Sequence, residues 1–216
     1  MRSPADALLY GIIDLGYVRP EDAPDVLEKL IAGGIDMVQL RGKNYSIDEL
    51  SLFAEKLLQF TTQAEIPLIA NDHAQIARRV AVQGVHLGQD DQSIQTVRAQ
   101  VERPLIVGKS THSVKQAMAA EGEGADYIGL GPIFPTPTKP DYPPIGASQI
   151  DEVRKRVSLP IFCIGGIKLE NLKQLLVAGA KRVVIVSGLL QANDIVGYTR
   201  ACKKLISDVR PVISGL

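Results

Sequence analysis

The sequence shows no excess of charge of either sign. Its 24 Lys and Arg residues balance 24 Asp and Glu residues, so the formal net charge at pH 7 is zero. A basic field over the whole surface, which would attract nucleic acid or an anionic membrane, is therefore lacking. We expect no nucleic-acid partner and no membrane partner, and any bound anion must be held by a local group of residues.

Cysteines and long hydrophobic runs are scarce. The two cysteines, Cys163 and Cys202, lie in separate apolar segments without the spacing of a metal site or a redox motif, which favours reduced, buried thiols over a disulfide. The longest apolar runs have the length of strands, and Met1–Ala7 contains no apolar core of secretory length. We therefore expect a cytoplasmic protein.

Motifs for several common chemistries are also missing. No Gly-x-Gly-x-x-Gly sequence follows the first predicted strand, which counts against a dinucleotide-binding sheet. A P-loop, a zinc-binding spacing and an evident Ser-His-Asp set are lacking too. Nucleophilic and hydrolytic mechanisms therefore have little support.

The sequence does contain a regular alternation of two kinds of segment. Eight short runs rich in Val, Ile and Leu each precede a turn and a longer segment of helical period. The predicted strands are Leu8–Leu15, Met37–Arg41, Leu68–Asn71, Gly84–Leu87, Leu105–Gly108, Tyr127–Leu130, Ile161–Ile164 and Val183–Val186. The predicted helices are Pro20–Ala32, Ile47–Ala64, Ala74–Val82, Ser93–Val101, Val114–Glu123, Ala147–Val157, Leu169–Ala178 and Ile195–Val209.

This alternation predicts the fold. Strands so uniformly apolar are typical of a parallel sheet that helices cover on both faces. Eight similar βα units favour closure, so we predict an α/β protein that forms a single (β/α)8 TIM barrel across residues 1–216. A doubly wound open sheet is the alternative, although it seldom uses so many near-equal units. With 45% hydrophobic residues, the chain can form one large core.

A proline-rich loop after the sixth predicted strand is the most informative local feature. The prolines at positions 132, 135 and 137 fix φ and remove backbone donors, so the loop has little conformational freedom. It presents Thr136, Thr138 and Lys139 close together, and two hydroxyls beside an ammonium group suit an anion. The alternative is a rigid surface connection whose polar side chains face water.

In a TIM barrel the active site lies at the carboxyl ends of the strands. Gln39 and Arg41 lie at the end of the second strand, and Lys43 follows it. The two neighbouring cations suit a diphosphate, and the alternative is that they are ordinary surface charges. The third and fourth strands are followed by Asp72 and Asp91. Because adjacent parallel strands lie about 4.8 Å apart, these carboxylates could converge on one Mg²⁺. Each aspartate could instead cap the helix that follows it.

The remaining strand ends offer further anion donors. Ser110, after the fifth strand, could hydrogen-bond to a phosphate, while Ser113 is placed to cap the next helix. His112 is either a general base or a structural hydrogen-bonding residue. Small residues follow the seventh and eighth strands, at Gly165–Gly166 and Ser187–Gly188, where many barrels bind phosphate. Together with the metal site, these donors predict two phosphorylated groups bound in one pocket.

The order of these motifs along the chain resembles the thiamine-phosphate synthase family. The resemblance covers nearly the whole chain and rests on the segments Gln39–Lys43, Asn71–Asp72, His86–Asp91, Gly108–Ser113, Gly131–Lys139, Ile164–Ile167 and Val186–Ser187. The Gly-Pro-Ile-Phe-Pro-Thr-x-Thr-Lys loop is the most specific of them. The sequence departs from the family at Gly42, where an acidic or polar residue is usual, and at Ile13, where threonine is commoner.

The resemblance implies a reaction and a set of residue roles. A hydroxymethylpyrimidine diphosphate and a thiazole phosphate, or its carboxylated form, would be joined to give thiamine phosphate and pyrophosphate. By match to the family, Mg²⁺ would be held by Asp72 and Asp91. The pyrimidine diphosphate would be bound by Gln39, Arg41, Lys43, Asn71, Ser110 and Lys139. The thiazole phosphate would be bound by Thr136, Thr138, Gly166, Val186 and Ser187. The residues acting directly in catalysis would be Arg41, Lys43, Ser110 and Lys139.

Three other functions are alternatives at this point. A thiazole tautomerase-like relative would share the barrel and use His112 for proton transfer. An aldolase-like barrel would form a Schiff base on Lys109 or Lys139. A non-catalytic sensor of phosphorylated ligands would keep the pocket without turnover. Exposed helix faces could also support a homo-oligomer.

Overall fold

The computed structural model describes residues 1–136 and 143–213, and within them strands alternate with helices along the chain. The strands are β1 (Leu9–Asp14), β2 (Met37–Arg41), β3 (Leu68–Asn71), β4 (Gly84–Leu87), β5 (Ile106–Thr111), β6 (Tyr127–Leu130), β7 (Ile161–Cys163) and β8 (Arg182–Ile185). The helices are α1 (Ala23–Gly33), α2 (Ile47–Gln63), α3 (Ala74–Arg79), α4 (Ile94–Gln100), α5 (Val114–Gly122), α6 (Ser148–Arg154), α7 (Leu169–Val177), α8 (Ser187–Leu190) and α9 (Ile195–Ile213). Two residues of the proline-rich loop with predicted roles, Thr138 and Lys139, lie outside the described residues.

The sheet closes on itself through its first strand. Each strand pairs in parallel with the next, and β1 pairs with both β2 and β8. Tyr10 shows the closure directly, because it lies opposite Met37 of β2 and Val184 of β8. The closed barrel confirms the predicted (β/α)8 fold and excludes the open sheet.

Successive side chains of each strand point to opposite faces of the sheet, and this produces two apolar layers. One set of side chains packs between the sheet and the helices, and Leu9 and Ile13 of β1 belong to it. The other set occupies the barrel interior and includes Tyr10, Tyr127 and Phe162, which are at most 1% exposed. Their rings meet edge to face, with centroids 5.4 Å to 6.0 Å apart. We call these three rings the interior aromatic layer.

Helix starts show which residues act as caps. Ser93 caps α4 and Ser113 caps α5, each by accepting a hydrogen bond from a backbone N–H of the first turn. The cap predicted for Ser113 is therefore confirmed. The residue before α3 is His73, whose side chain makes no capping hydrogen bond. The alternative that Asp72 and Asp91 cap these helices is wrong, and both carboxylates have other contacts.

Two departures from the predicted elements affect the site. β5 runs to Thr111 instead of ending at Gly108, because Ser110 and Thr111 pair with Gly129 and Leu130 of β6 despite their polarity. Ser110 therefore lies on a strand and not in a loop. After β8 the chain forms α8, which has four residues and is too short to show a helical period in the sequence.

Both cysteines are free and buried, as predicted. Cys163 belongs to β7 and Cys202 to α9, and both side chains pack in the apolar layer between the sheet and the helices. Within the described parts of the chain, no helix combines the length and the apolar character needed to cross a membrane.

Candidate active site

A cavity opens at the carboxyl ends of the strands. Residues from all eight strands or from the segments directly after them line it. Eight of the predicted site residues are among them: Gln39, Arg41, Asn71, Ser110, Thr136, Gly166, Val186 and Ser187. Gln39 and Arg41 share one face of β2, because residues two positions apart on a strand point to the same side.

The guanidinium of Arg41 is fixed by the carboxylate of Asp14, for which no role is predicted from the sequence. Arg41 Nη1 donates to Asp14 Oδ2, and the two side chains are 11% and 4% exposed. Asp14 Oδ1 also accepts the backbone N–H of Gly16 at 2.9 Å. The pair is nearly buried, and each charge largely neutralises the other. The position of Asp14 at the end of the first predicted strand was the sequence feature that could have identified it.

The turn after β2 is tightly packed. A Cβ on Gly42 would lie 2.9 Å from Leu50 Cδ2 and 3.0 Å from Leu15 Cδ1. A larger residue at this position, such as the acidic or polar one usual in the family, would require these side chains to move. Lys43 follows on an exposed part of the turn and, unlike Arg41, does not line the cavity.

Two carboxylates meet just after β3 and β4. Asp72 and Asp91 are in contact, and burial, followed by the charge and hydrogen bond of Asp91, raises the pKa of the Asp72 carboxyl. The backbone of Asp72 is left-handed, with φ of 62°, and Asp91 Oδ2 accepts the Gly88 N–H at 2.6 Å.

This carboxylate pair suits a hard divalent cation such as Mg²⁺, which often takes one or two carboxylates and completes its shell with water and phosphate. In residues 1–136 and 143–213, no group of three or more His, Cys, Asp or Glu side chains is placed to hold a metal ion. The other ligands of an ion held by Asp72 and Asp91 would be oxygens of another kind, such as those of water and phosphate.

Five polar side chains are linked by hydrogen bonds across the interior of the barrel. Gln39 Nε2 donates to the Tyr10 hydroxyl at 2.6 Å, and the hydroxyls of Tyr10 and Tyr127 lie 3.2 Å apart. The Tyr127 hydroxyl lies 3.0 Å from His86 Nδ1, and His86 Nε2 lies 2.9 Å from Ser110 Oγ. We call this set the interior hydrogen-bond chain. It connects two predicted substrate-binding residues, Gln39 and Ser110, that lie on different strands.

The two phenols of this chain stay protonated at neutral pH. Burial raises the pKa of Tyr10 and of Tyr127 above the ordinary value for a phenol, and at Tyr127 the neighbouring Tyr10 adds to the effect. They therefore serve as hydrogen-bonding groups and not as bases. No role for Tyr10, His86 or Tyr127 could be predicted from the sequence, because only the strand register brings them together.

The start of the proline-rich loop packs on the end of β7. The backbone N–H groups of residues 133 and 134 donate to the carbonyls of residues 164 and 165, at 2.8 Å and 3.0 Å. Gly165 and Gly166 have φ values of 99° and 64°, and a Cβ on Gly166 would lie 2.4 Å from the carbonyl oxygen of Pro135. Glycine at position 166 therefore allows the loop to come close and places Thr136 at the cavity.

His112 is held in the cavity wall. Its Nδ1 lies within hydrogen-bonding distance of the Gly131 carbonyl oxygen, and its backbone N–H donates to Gln116 Oε1 at 2.7 Å. Because a carbonyl oxygen only accepts, Nδ1 must carry a hydrogen in this contact. The arrangement favours the structural alternative for His112. Lys109 is buried in β5 and does not line the cavity, so a Schiff base at that position has no support.

Comparison with known proteins identifies the family. A family model described as thiamine monophosphate synthase matches residues 9–189. A thiamine-phosphate synthase from Shouchella clausii is 38% identical over 194 residues, which cover 89% of this chain and 93% of that protein. One from Halalkalibacterium halodurans is 40% identical over 193 residues, which cover 89% of this chain and 92% of that protein. The chain belongs to the thiamine-phosphate synthase family.

The architecture of this thiamine-phosphate synthase family member agrees with a solved structure. Thiamine phosphate pyrophosphorylase from Pyrococcus furiosus has the same fold with a TM-score of 0.86 at 29% identity. The match covers 95% of this chain and 98% of that one. The family resemblance expected from the motifs is confirmed, and the chain is an enzyme of the transferase class.

Proposed function

We propose that this member of the thiamine-phosphate synthase family joins a hydroxymethylpyrimidine diphosphate to a thiazole phosphate and releases pyrophosphate. The observation that carries the proposal is the convergence, at one cavity, of polar groups from β2, β3 and β5 with small residues that follow β7 and β8. Two anion-binding regions that face the same space suit two phosphorylated substrates. The family model and the curated relatives support the same reaction.

The pyrimidine diphosphate would bind on the side of the cavity formed by Gln39, Arg41, Asn71 and Ser110. Among the described residues that line the cavity, Arg41 is the one with a permanent positive charge, and Asp14 largely neutralises it. A diphosphate therefore needs further cations. Lys43 and Lys139 are the candidates within the chain, and both would approach from the mouth of the barrel.

Magnesium would be held by Asp72 and Asp91. When bound, the ion would neutralise negative charge on the departing pyrophosphate. The contribution of the protein is to hold two carboxylates in contact, with Asp91 oriented by the Gly88 N–H. Since β3 and β4 are adjacent strands, this pair lies next to Asn71 on the proposed diphosphate side.

The thiazole phosphate would bind on the opposite side of the cavity. Gly166 has a left-handed backbone there, and Val186 directly precedes α8, which begins at Ser187. Backbone N–H groups at a helix start have no partner within the helix and can donate to a phosphate. Thr136 lines the same cavity, and Thr138 would join it.

The bond that breaks joins the methylene carbon of the pyrimidine to an oxygen of the diphosphate. Pyrophosphate leaves with the bonding electrons, and the electron-rich aminopyrimidine stabilises the methylene cation that remains. The thiazole nitrogen then donates its lone pair to that carbon, which gives thiamine phosphate. The chain needs no nucleophile of its own, so its residues act by stabilising charge and by holding the two substrates in attack geometry.

An assay of pyrophosphate release tests the proposal. Purified protein with pyrimidine diphosphate, thiazole phosphate and Mg²⁺ should release pyrophosphate in step with thiamine phosphate, and omission of any component should stop both. Arg41→Ala should lower turnover by about 100-fold. Lys29→Ala, which removes an exposed cation of α1, should leave turnover unchanged.

Two other outcomes would contradict the proposal. Tight binding of both ligands without turnover would support a sensor, and isomerisation of a thiazole substrate alone would support a tautomerase-like enzyme. Plain and carboxylated thiazole phosphates compared in the same assay would identify the second substrate.

Location and assembly are part of the same proposal. We propose a cytoplasmic location, which the two free, buried thiols support. A homo-oligomer stays a prediction, and sedimentation of the purified protein would test it.

A further inference from the structure

The interior hydrogen-bond chain ends at Ser110, on the side of the cavity where the diphosphate is proposed to bind. Its four links measure 2.6 Å, 3.2 Å, 3.0 Å and 2.9 Å. Each link needs one donor and one acceptor, and the side chains involved have few hydrogens to give. When each buried hydroxyl also donates its own hydrogen within the chain, the first link decides the position of every hydrogen.

The direction of the chain is set at Gln39. Its amide Nε2 carries only donor hydrogens, so the Tyr10 oxygen must accept the first bond. Among the described residues, the other hydrogen-bonding contact of the Tyr10 hydroxyl is the oxygen of Tyr127, so Tyr10 satisfies its own hydrogen by donating it there. Tyr127 in turn satisfies its hydrogen by donating it to His86 Nδ1. Burial keeps both phenols protonated, so neither link is lost by ionisation at neutral pH.

This direction fixes the tautomer of His86. Because Nδ1 accepts from Tyr127, the neutral imidazole carries its hydrogen on Nε2 and donates it to Ser110 Oγ at 2.9 Å. The Ser110 oxygen receives this bond, so the hydrogen of the hydroxyl must point in another direction. Ser110 lines the cavity, and its hydrogen can be donated to a ligand there.

Packing leaves the rings of His86 and Tyr127 little freedom to turn. A Cβ on Gly129 would lie 3.4 Å from His86 Cε1, and a Cβ on Gly108 would lie 2.1 Å from Tyr127 Cζ. Glycine at both positions provides the space that the rings occupy. Phe162 also packs edge to face on Tyr127, with centroids 5.4 Å apart. Fixed rings keep the hydrogen-bond directions fixed.

We propose that His86 is a positioning residue that makes Ser110 a hydrogen-bond donor toward an anionic oxygen in the cavity. The inference deepens the proposed function and rests on it, because it assigns that oxygen to the diphosphate of the pyrimidine substrate. Negative charge grows on the diphosphate as the carbon–oxygen bond breaks. A hydroxyl already aimed at this charge needs no reorientation during the reaction.

The first test reads the tautomer of His86 without any substrate. Protein labelled with nitrogen-15 in its 3 histidines gives separate ring signals, and the spectrum of His86→Gln identifies those of His86 by their loss. At about pH 7.5 we expect a neutral ring with its hydrogen on Nε2 and an unprotonated Nδ1. A ring protonated on Nδ1 would overturn the proposal regardless of activity.

Two substitutions test the two nitrogens of the His86 ring separately. An asparagine amide reaches about as far as Nδ1 and a glutamine amide about as far as Nε2, so His86→Asn loses the donor to Ser110 and His86→Gln keeps one. We expect His86→Asn to lower kcat by about 10-fold and to change KM for the pyrimidine diphosphate by less than about 3-fold. His86→Gln should recover much of kcat. If His86→Asn and His86→Gln lose kcat equally and have equal thermal stability, a positioning role for His86 is contradicted.

A double-mutant cycle tests whether His86 acts through Ser110. Once Ser110→Ala has removed the hydroxyl, His86→Asn should lower kcat by no more than about 2-fold further. If the kcat losses of His86→Asn and Ser110→Ala multiply in the double variant, the proposal is overturned. If the wild-type protein shows the Nε2 tautomer and no turnover, the proposed function fails while the hydrogen-bond assignment stands, so the two failures can be told apart.

Discussion

Asp14 and Arg41 occupy paired positions on β1 and β2, and their side chains form a nearly buried ion pair at the mouth of the barrel. The parallel register itself therefore places a carboxylate beside the guanidinium. This contact keeps Arg41 in one position at the cavity and avoids the cost of burying an unpaired charge. The same contact leaves little net positive charge for an anionic ligand.

Asp14→Asn should lower the free energy of unfolding by about 3 kcal/mol, because Arg41 loses its partner in a nearly buried position. The asparagine Oδ1 can still accept the Gly16 N–H, so the turn is kept. Inorganic pyrophosphate should restore part of the lost stability, because an anion then takes the place of the carboxylate. Urea unfolding with and without pyrophosphate measures both effects. Asp25→Asn, which breaks an exposed pair with Lys29, should have no measurable effect.

Asp72→Asn should have opposite effects on stability and activity. The substitution removes a carboxylate that burial and Asp91 disfavour, so the unfolding temperature in EDTA should rise by about 2–4 °C. Asparagine tolerates the left-handed backbone at this position. Turnover should fall by about 100-fold, and added Mg²⁺ should no longer raise the unfolding temperature. Asp90→Asn is the matched control and should change neither quantity. A variant that keeps its stabilisation by Mg²⁺ would remove Asp72 from the metal site.

Gly166→Ala should weaken binding of the thiazole phosphate. An added Cβ would lie 2.4 Å from the Pro135 carbonyl oxygen, so the proline-rich loop must move. We expect KM for the thiazole phosphate to rise by about 10-fold and KM for the pyrimidine diphosphate to change by less than about 2-fold. Gly124→Ala is the control, since Gly124 also has a positive φ, of 85°, but has no atom within 4 Å of the added carbon. Equal changes in both KM values would argue against separate substrate regions.

Both thiols should be unreactive in the folded protein and should make it sensitive to alkali. Burial raises the pKa of Cys163 from 9.0 to about 12, and burial followed by the charge of Glu170 does the same for Cys202. The folded protein therefore holds these protons more tightly than the unfolded chain does. This stabilising contribution is complete below about pH 9 and is lost as the pH rises through about 12. Tyr10 and Tyr127 act in the same direction.

Urea unfolding at several pH values should show the free energy of unfolding falling above about pH 9, with a smaller slope in Cys163→Ala. Iodoacetamide should label neither thiol near neutral pH without urea and both in urea. A thiol that is labelled equally fast in both conditions would show that its burial is incomplete.

Much of the fold could be predicted because the strands are short, apolar and separated by helical segments. β2, β3, β4 and β6 have the predicted bounds, since each begins and ends where the hydrophobic pattern does. β5 was predicted to end at Gly108, because the polar Ser110 and Thr111 carry no strand pattern of their own. Their place on β5 depends on pairing with β6, which is a long-range contact.

The candidate site also contains residues that could be predicted from the sequence and residues that could not. Residues such as Gln39 and Ser110 could be proposed because they lie at or after the ends of predicted strands, and the barrel does bring them to one cavity. Asp14 as the partner of Arg41 could not be proposed as readily, because the contact depends on which residues of β1 and β2 lie opposite each other. Tyr10 and Tyr127 are 117 positions apart, and only closure of the barrel makes them neighbours.

The interior aromatic layer closes the cavity at its inner end, away from the carboxyl ends of the strands. Tyr10, Tyr127 and Phe162 are at most 1% exposed and lie on the barrel side of the cavity. A molecule that enters at the carboxyl ends of the strands therefore contacts these three rings at the inner end of the cavity. It must leave through the same opening. In the proposed reaction two substrates and two products would use this opening, and the substrate that binds deeper would have to enter first.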